Sequence, residues 1–161
     1  MTLEQHPRSS RTHRAHHYPD EVRHIEQCLG RWQQAMQHKD AAAAAACYSE
    51  DAVLFNLAPP LRQCGMQRQA LQAWFDTWQT GPTYEMREVQ LMAGEDIAYC
   101  SSLTHMTGTK TAGEETDLWF RATVCLRKLD GEWRITHEHT SVPFLMDGSF
   151  KAAVNLRPTD R

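Results

Sequence analysis

The spacing of hydrophobic residues along the chain changes from a helical to a strand pattern near residue 82. Before that point, apolar residues recur every three or four positions, as they do on one face of a helix. Pro19, Asp20 and Glu21 mark the start of the first predicted helix, because acidic residues favour the positive end of the helix dipole. The apolar stripe of this helix consists of Val22, Ile25, Leu29, Trp32 and Met36. One face of the helix is therefore expected to be buried.

Two further helices are predicted before the pattern changes. Asp40 is placed as the N-cap of a short helix that runs through six alanines to Tyr48. A turn at residues 49–51 and a short strand from Ala52 to Leu57 follow, and Gly65 precedes the third helix. The buried side of that helix is expected to carry Ala70, Leu71, Trp74, Phe75 and Trp78.

The second half of the chain has the alternation of antiparallel strands. Residues 84–92 and 97–107 form two predicted strands around a Gly-Glu-Asp turn. Residues 116–144 are predicted to form two longer strands joined by a tight turn that contains Asp130-Gly131. Three helices followed by a run of strands predict an α+β fold, with the helices packed against one face of a curved sheet.

The turn of the last hairpin decides which of its side chains share a face. We predict a three-residue loop at Leu129-Asp130-Gly131, which would place Arg121 across from His139 and Thr123 across from His137. The shared face would then consist of Trp119, Arg121, Thr123, Cys125, Trp133, Ile135, His137, His139 and Ser141. A two-residue loop would shift the register by one residue and separate Arg121 from both histidines.

Length, composition and charge narrow the class of protein. The chain has 161 residues, of which 41% are hydrophobic, and this suffices for one domain with a buried core. The domain is expected at residues 19–158, after a disordered leader at residues 1–18. No apolar run is long enough to span a membrane, and a formal charge of -3 argues against general nucleic-acid binding. The five cysteines are scattered and odd in number, which favours free thiols in a reducing cytoplasm.

Two motifs carry a resemblance to a known family. Residues 48–54, Tyr-Ser-Glu-Asp-Ala-Val-Leu, follow the alanine helix, and residues 130–141 have the pattern Asp-Gly-x-Trp-x-Ile-x-His-x-His-x-Ser. In this order they resemble the NTF2-like superfamily and, within it, the SnoaL-like and ketosteroid-isomerase-related proteins. The resemblance implies a cone in which a curved antiparallel sheet wraps around three N-terminal helices and leaves a pocket at the wide end. It also implies a homodimer formed through the outer sheet face.

The ketosteroid isomerase site does not carry over to this sequence. Counted back from Asp40, the position of the family's oxyanion-donor tyrosine is occupied by Trp32. Asn56 is nearest to the position of the family's general-base aspartate, and an amide cannot abstract a proton at neutral pH. Steroid isomerisation by that mechanism is therefore not expected.

Arg121, His137 and His139 are the candidate catalytic residues. On the predicted face, Arg121 would bind an anionic or carbonyl group and a histidine would move protons near neutral pH. The candidate ligand-binding residues are Trp32, Asn56, Trp74, His105 and Trp119. The alternative is that Arg121 and His139 are buried structural partners that satisfy each other.

Neither a metal nor an organic cofactor is expected. His137 and His139 have the spacing of a metal pair, with His105 or Glu138 as a further ligand, but Glu138 alternates to the other face of the strand. The sequence also has no glycine-rich phosphate loop and no dinucleotide-binding fingerprint.

The sequence is compatible with two functions. The first is binding of a small apolar molecule that bears a carbonyl or carboxylate, with isomerase, cyclase or lyase chemistry as its enzymatic form. The second is a non-catalytic association module like the calcium/calmodulin-dependent kinase hub domains. The Asp-Gly-x-Trp and His-x-His motifs near the end of those domains resemble residues 130–139 of this chain.

We expect a homodimer whose interface includes the sheet face of Leu118, Phe120, Val124 and Leu126. The closing segment carries Phe144, Leu145, Phe150, Val154 and Leu156, which are expected to cover the pocket mouth or to reach the partner subunit.

Overall fold

The structure, a computed structural model, describes residues 18–158. The predicted leader therefore lies outside the described residues, apart from Tyr18. The helices are α1 (Pro19–Gln37), α2 (Ala41–Ala46) and α3 (Arg68–Phe75). The strands are β1 (Tyr48–Phe55), β2 (Gln63–Cys64), β3 (Thr83–Ala93), β4 (Ile97–Thr109), β5 (Glu115–Leu129) and β6 (Glu132–Ser141). The helices precede most of the sheet, as the sequence predicts.

The strands form a single six-stranded sheet in the order β2-β1-β6-β5-β4-β3. Each neighbouring pair is antiparallel except β1 and β6, which run parallel. The sheet is curved and does not close, and its concave side faces the helices. The predicted α+β cone is thereby confirmed.

The buried core forms two clusters under the helices. One joins Ile25 and Cys28 of α1 to Leu126, Trp133 and Ile135 of the β5–β6 hairpin. The other joins the ends of α1 and α2 to α3 and to the middle of the sheet, and it contains Ala35, Met36, Ala41, Ala44, Leu71, Phe75, Tyr84 and Phe120. Burying these apolar surfaces provides most of the stabilisation of a fold of this kind.

The alanine helix behaves largely as the sequence predicts. The carboxylate of Asp40 accepts a hydrogen bond of 2.9 Å from the backbone N–H of Ala43, which confirms the N-cap. The small side chain of Ala44 is fully buried, so its neighbours approach α2 closely. The predicted turn at residues 49–51 is wrong, because β1 already begins at Tyr48 and pairs there with Ile135 of β6.

The turn between β5 and β6 is shorter than predicted. Leu129 pairs directly with Glu132, so the loop has two residues, Asp130 and Gly131, rather than three. Both loop residues have positive φ, 51° and 83°, as the favoured two-residue hairpin turn requires. Because the loop is one residue shorter, the predicted pairing of Arg121 with His139 is wrong.

A β-bulge then shifts the register again within the same hairpin. Leu126 pairs with Ile135 but Cys125 pairs with His137, which leaves Thr136 as the extra residue on β6. Beyond the bulge, Thr123 lies across from His139 and Arg121 across from Ser141.

The bulge also changes which face each β6 side chain occupies. Trp133 and Ile135 are buried beneath the helices, whereas His137 and His139 lie on the opposite, convex face. Glu138 points toward the concave face, where Leu118, Phe120 and Val124 of β5 also lie. The apolar face that was expected at the dimer interface is therefore the interior of the cone.

Within the described part of the chain, none of the helices has the length and apolar character needed to cross a membrane.

Candidate functional site

A cavity of about 550 Å³ lies between the helices and the concave face of the sheet. Trp32 and Met36 of α1 and Leu71 and Trp74 of α3 form the helical wall. The sheet wall is formed by residues of β3, β4, β5 and β6, among them Tyr84, Met86, Cys100, Met106, Leu118, Phe120, Ala122, Val124 and Ile135. Most of these side chains are apolar, as is typical of a small-molecule pocket.

Tyr48 and Glu138 bring a polar pair into this apolar cavity. The hydroxyl of Tyr48 donates a hydrogen bond of 2.5 Å to Oε2 of Glu138. Tyr48 is placed by the start of β1 directly after the alanine helix, and Glu138 is turned inward by the bulge at Thr136. Two backbone features far apart in sequence therefore create one hydrogen-bonded pair.

The surroundings of the pair shift its titration. Burial raises the pKa of Glu138 above the ordinary value for a carboxyl group, and the hydrogen bond from Tyr48 offsets part of this rise. Burial also raises the pKa of Tyr48, and the nearby charge of Glu138 raises it further. Tyr48 therefore stays protonated near neutral pH, while the pKa of Glu138 moves toward the range that suits proton transfer.

Trp32 supplies a third polar atom at this end of the cavity. Its ring packs against Tyr84 with centroids 5.2 Å apart. Its buried Nε1–H has no acceptor in hydrogen-bonding geometry among the described residues, although it lies near enough to Tyr48 to lower the pKa of that hydroxyl. A buried donor without a partner carries an energetic cost, which a bound acceptor would remove.

The remaining polar groups of the cavity are neutral. Ser102 and Thr104 hydrogen-bond to each other at 3.0 Å on β4. Asn56 interacts with Gln63 at 3.4 Å, and Thr140 donates to the carbonyl of Phe55. Among the described residues that line the cavity there is no lysine, arginine or histidine. Glu138 thus supplies a carboxyl group to a cavity whose described lining contains no cationic side chain.

Three of the predicted ligand-binding residues line the cavity: Trp32, Asn56 and Trp74. His105 and Trp119 do not; they stack on each other on the convex face, with ring centroids 4.5 Å apart. His105 also contacts the carboxylate of Asp117 at 2.6 Å.

The three predicted catalytic residues do not line the cavity either. Arg121 and His139 are exposed on the convex face, and they are neither paired with each other nor buried together. The Nδ1 atom of His137 lies 2.7 Å from the carbonyl oxygen of Val53, and Phe55 packs edge-on against both histidine rings. The functional roles given to Arg121, His137 and His139 stay predictions.

The hydrogen-bonded pair of Tyr48 and Glu138 was not among the site residues predicted from the sequence. Tyr48 belongs to the motif that supports the family resemblance, but simple patterning placed it at the end of a helix. The sequence places Glu138 on the same sheet face as Leu118, Phe120 and Val124, as the structure confirms, but that face was expected to be the outer one rather than the wall of the cavity. One feature of the sequence could have pointed to Glu138: it lies between His137 and His139 on a strand that begins with the apolar residues Trp133 and Ile135.

Comparison with known proteins agrees with this architecture. The model of the SnoaL-like domain family matches residues 25–145. An NTF2-like protein of unknown function from Pseudomonas putida KT2440 is 26% identical, with a TM-score of 0.77 over 88% of this chain and 99% of that chain. A ketosteroid isomerase-like protein from Erwinia carotovora atroseptica SCRI1043 is 27% identical, with a TM-score of 0.65 over 77% of this chain and 97% of that chain.

An NTF2-like superfamily protein from Salmonella enterica serovar Typhimurium LT2 shows the same fold at 16% identity, with a TM-score of 0.65 over 79% of this chain and 94% of that chain. The comparison with curated protein sequences finds no match.

Proposed function

Because this chain belongs to the SnoaL-like domain family, we propose that its cavity binds a neutral, largely apolar small molecule and that Glu138 exchanges a proton with it. The hydrogen-bonded pair of Tyr48 and Glu138 inside an apolar cavity carries this proposal. A carboxyl group with a raised pKa in such a place is well suited to general acid–base chemistry.

The charges around the cavity favour a neutral ligand over an anionic one. The sequence alone allowed either a carbonyl or a carboxylate on the ligand. A buried carboxylate on the ligand would need a cation, and none of the described lining residues provides one. The ionised form of Glu138 would also repel it. A carbonyl group needs only a hydrogen-bond donor. A neutral ligand with a ketone group therefore fits this cavity better than a carboxylate does.

Trp32, Glu138 and Tyr48 can each take a separate role in a proton transfer at the carbon next to a carbonyl group. The unsatisfied Nε1–H of Trp32 would donate to the carbonyl oxygen and stabilise the negative charge that develops there. Glu138 would remove a proton from the adjacent carbon and return it elsewhere on the ligand. Tyr48 would hold the carboxylate in position through its hydrogen bond. Such a transfer supports isomerisation, or elimination where the ligand carries a leaving hydroxyl group.

Hydrogen exchange in D₂O tests the chemistry without knowledge of the natural ligand. Neutral ring ketones such as 2-tetralone would be incubated with the protein, and NMR would follow the loss of protons next to the carbonyl. We expect wild type to accelerate exchange above the buffer rate, and Glu138→Gln to lose that acceleration by about 10²-fold or more.

Glu132→Gln is the matched control, because Glu132 lies on the same strand but forms an exposed ion pair with Arg134. Binding is tested separately by thermal shift, with 2-naphthoate as the anionic counterpart of the ketones. Stabilisation by the carboxylate rather than by the ketones would contradict the proposal, as would equal exchange rates for wild type and Glu138→Gln.

A homodimer is proposed as the assembly in which this site works. Several apolar side chains of the segment after β6 are exposed, namely Phe144, Leu145, Met146, Phe150, Val154 and Leu156. The sequence predicts that this segment either covers the pocket mouth or reaches the partner subunit. None of its described residues lines the cavity, so we propose that it contacts the partner subunit. Catalytically silent association remains the alternative function, and a failure of the exchange experiment together with stable dimers would favour it.

A further inference from the structure

A second depression of about 720 Å³ lies on the other side of α1, between α1, α2 and the turn of the β5–β6 hairpin. Among residues 18–158, none lines both this depression and the cavity that holds Glu138. Cys47, the C-cap of α2, is one of the residues that line the depression. Its other charged and titratable lining residues are His24, Arg31, His38, Asp40, Glu132 and Arg134. This groove is not used by the proposed function.

A second thiol lies directly behind Cys47. Cys28 of α1 has no solvent-exposed surface, and Cys47 is 5% exposed. The two cysteines belong to the same buried cluster of the core. The thiol of Cys47 reaches the carbonyl oxygen of Ala43 at 3.5 Å. Cys28 also reaches the carbonyl oxygen of Trp133 at 3.2 Å, which fixes its position in the core. Cys47 therefore borders the groove, and Cys28 lies behind it in the same core cluster.

The charges around the pair distinguish its two members. The neighbouring thiol of Cys28 lowers the pKa of Cys47 to about 7, and the positive charges of Arg31 and Arg134 act in the same direction. The thiol of Cys47, together with burial, raises the pKa of Cys28. Arg134 is held beside the site by a hydrogen bond of 2.6 Å to the carbonyl oxygen of Ala46. Cys47 borders the groove together with the two arginines and is therefore the nucleophilic member, whereas Cys28 has no exposed surface and keeps its proton.

We propose that Cys47 is a peroxide-reactive thiol and that Cys28 is its resolving partner, so that oxidation links them by a disulfide. The inference rests on the thiol pair, the groove and the two arginines, and it does not depend on the chemistry proposed for Glu138. The disulfide would join α1 to the residue directly before Tyr48.

The reaction proceeds in two balanced steps. The Cys47 thiolate attacks one oxygen of hydrogen peroxide, the O–O bond breaks, and the departing hydroxide takes a proton from solvent to form water. Cys47 is then a sulfenic acid. The Cys28 sulfur attacks the Cys47 sulfur, and the hydroxyl group leaves with the Cys28 proton as a second water. The two thiols lose two electrons in total, and the peroxide is reduced.

The other cysteines provide internal comparisons. Cys64 is exposed and therefore reports on accessibility alone. Burial raises the pKa of Cys100 and of Cys125, so both stay protonated and react slowly. If accessibility governed oxidation, Cys64 would react first. If the arrangement of the groove governs it, Cys47 reacts first.

The test treats the full chain with substoichiometric to equimolar hydrogen peroxide at pH 7 and maps the products by peptide mass spectrometry. We expect wild type to lose two of its five thiols and to yield a peptide pair linked through Cys28 and Cys47. In Cys28→Ser, dimedone should trap a sulfenic acid on Cys47. In Cys64→Ser, the linked pair should form at the wild-type rate.

Each other outcome overturns part or all of the proposal. Modification of Cys64 while Cys47 stays reduced would show that exposure alone decides reactivity. A dimedone adduct on Cys47 of wild type, without the linked pair, would remove the role of Cys28. Should Cys28→Ser fail to fold, as judged by circular dichroism, the wild-type peptide map decides the question alone. The rate of Cys47 oxidation should also rise with a midpoint near pH 7.

Discussion

The hydroxyl of Tyr48 and the carboxylate of Glu138 are joined by a hydrogen bond of 2.5 Å, although the two residues are 90 positions apart. Tyr48 opens β1, and Glu138 follows the bulge of the parallel neighbour β6. The cavity around them is otherwise lined mainly by apolar side chains. The pairing of β1 with β6 therefore affects the pKa of Glu138 through this hydrogen bond. The first two predictions follow from this relationship.

Replacing Tyr48 by phenylalanine should shift the pH dependence of α-proton exchange toward higher pH. The hydrogen bond from Tyr48 is the larger of the two effects that lower the pKa of Glu138, the other being the charge of His137, so its loss lets the rise caused by burial dominate further. Base catalysis requires the ionised carboxylate, and its midpoint should therefore move upward. The pH–rate profile of 2-tetralone exchange measures this shift. An unchanged midpoint, with only a lower rate, would mean that Tyr48 does not control the carboxyl group.

Replacing Glu138 by glutamine should stabilise the protein at neutral pH relative to wild type, and less so in acid. A carboxyl group whose pKa is raised in the folded state contributes stability below its unfolded pKa, and this contribution is lost as the pH rises through the folded value. The melting temperatures of wild type and Glu138→Gln would be compared between pH 5 and pH 8. Glu132→Gln on the surface should show no such trend, and a margin that grows toward acid would contradict the assignment.

Replacing Glu21 by glutamine should destabilise the protein at neutral pH, with the opposite pH dependence. Glu21 accepts hydrogen bonds from Lys128 at 2.7 Å and from the indole of Trp133 at 2.6 Å, which tie α1 to the β5–β6 hairpin. These hydrogen bonds lower the pKa of Glu21, so its contribution is present above the unfolded pKa and is lost as the pH falls.

Thermal unfolding of wild type and Glu21→Gln between pH 3 and pH 7 measures this effect. The difference in melting temperature should shrink in acid. Glu26→Gln, an exposed position on the same helix, is the control and should leave the melting temperature nearly unchanged at every pH. A constant difference across the range would exclude an electrostatic origin.

Replacing Met146 and Phe150 by serine should weaken the proposed homodimer without loss of the monomer fold. Their side chains are 91% and 72% exposed, so neither contributes much to the core of a single chain. Light scattering coupled to size-exclusion chromatography, over a range of concentrations, would report the mass in solution. Ser149→Ala in the same segment is the control. An unchanged mass for the double variant would place the subunit contact elsewhere or remove it.

The class of fold could be predicted because it depends on local chemistry. The apolar stripe of α1, the cap at Asp40 and the loop residues Asp130 and Gly131 each act within a few positions of the chain. The same local patterns placed Trp32 and Trp74 on the buried sides of their helices, and both line the cavity. Helices of this kind can bury their apolar faces only against the sheet.

The identity of the site was decided by tertiary structure. Side chains on a strand alternate with a period of two, so one extra residue moves every following side chain to the other face. The bulge at Thr136 has this effect: it sends His137 and His139 outward and Glu138 into the cavity. The pairing of β1 with β6, which joins residues far apart in sequence, brings Tyr48 to the same place. The sequence by itself therefore determined the elements and their buried faces, whereas the polar pair exists only because long-range strand pairing selected one register.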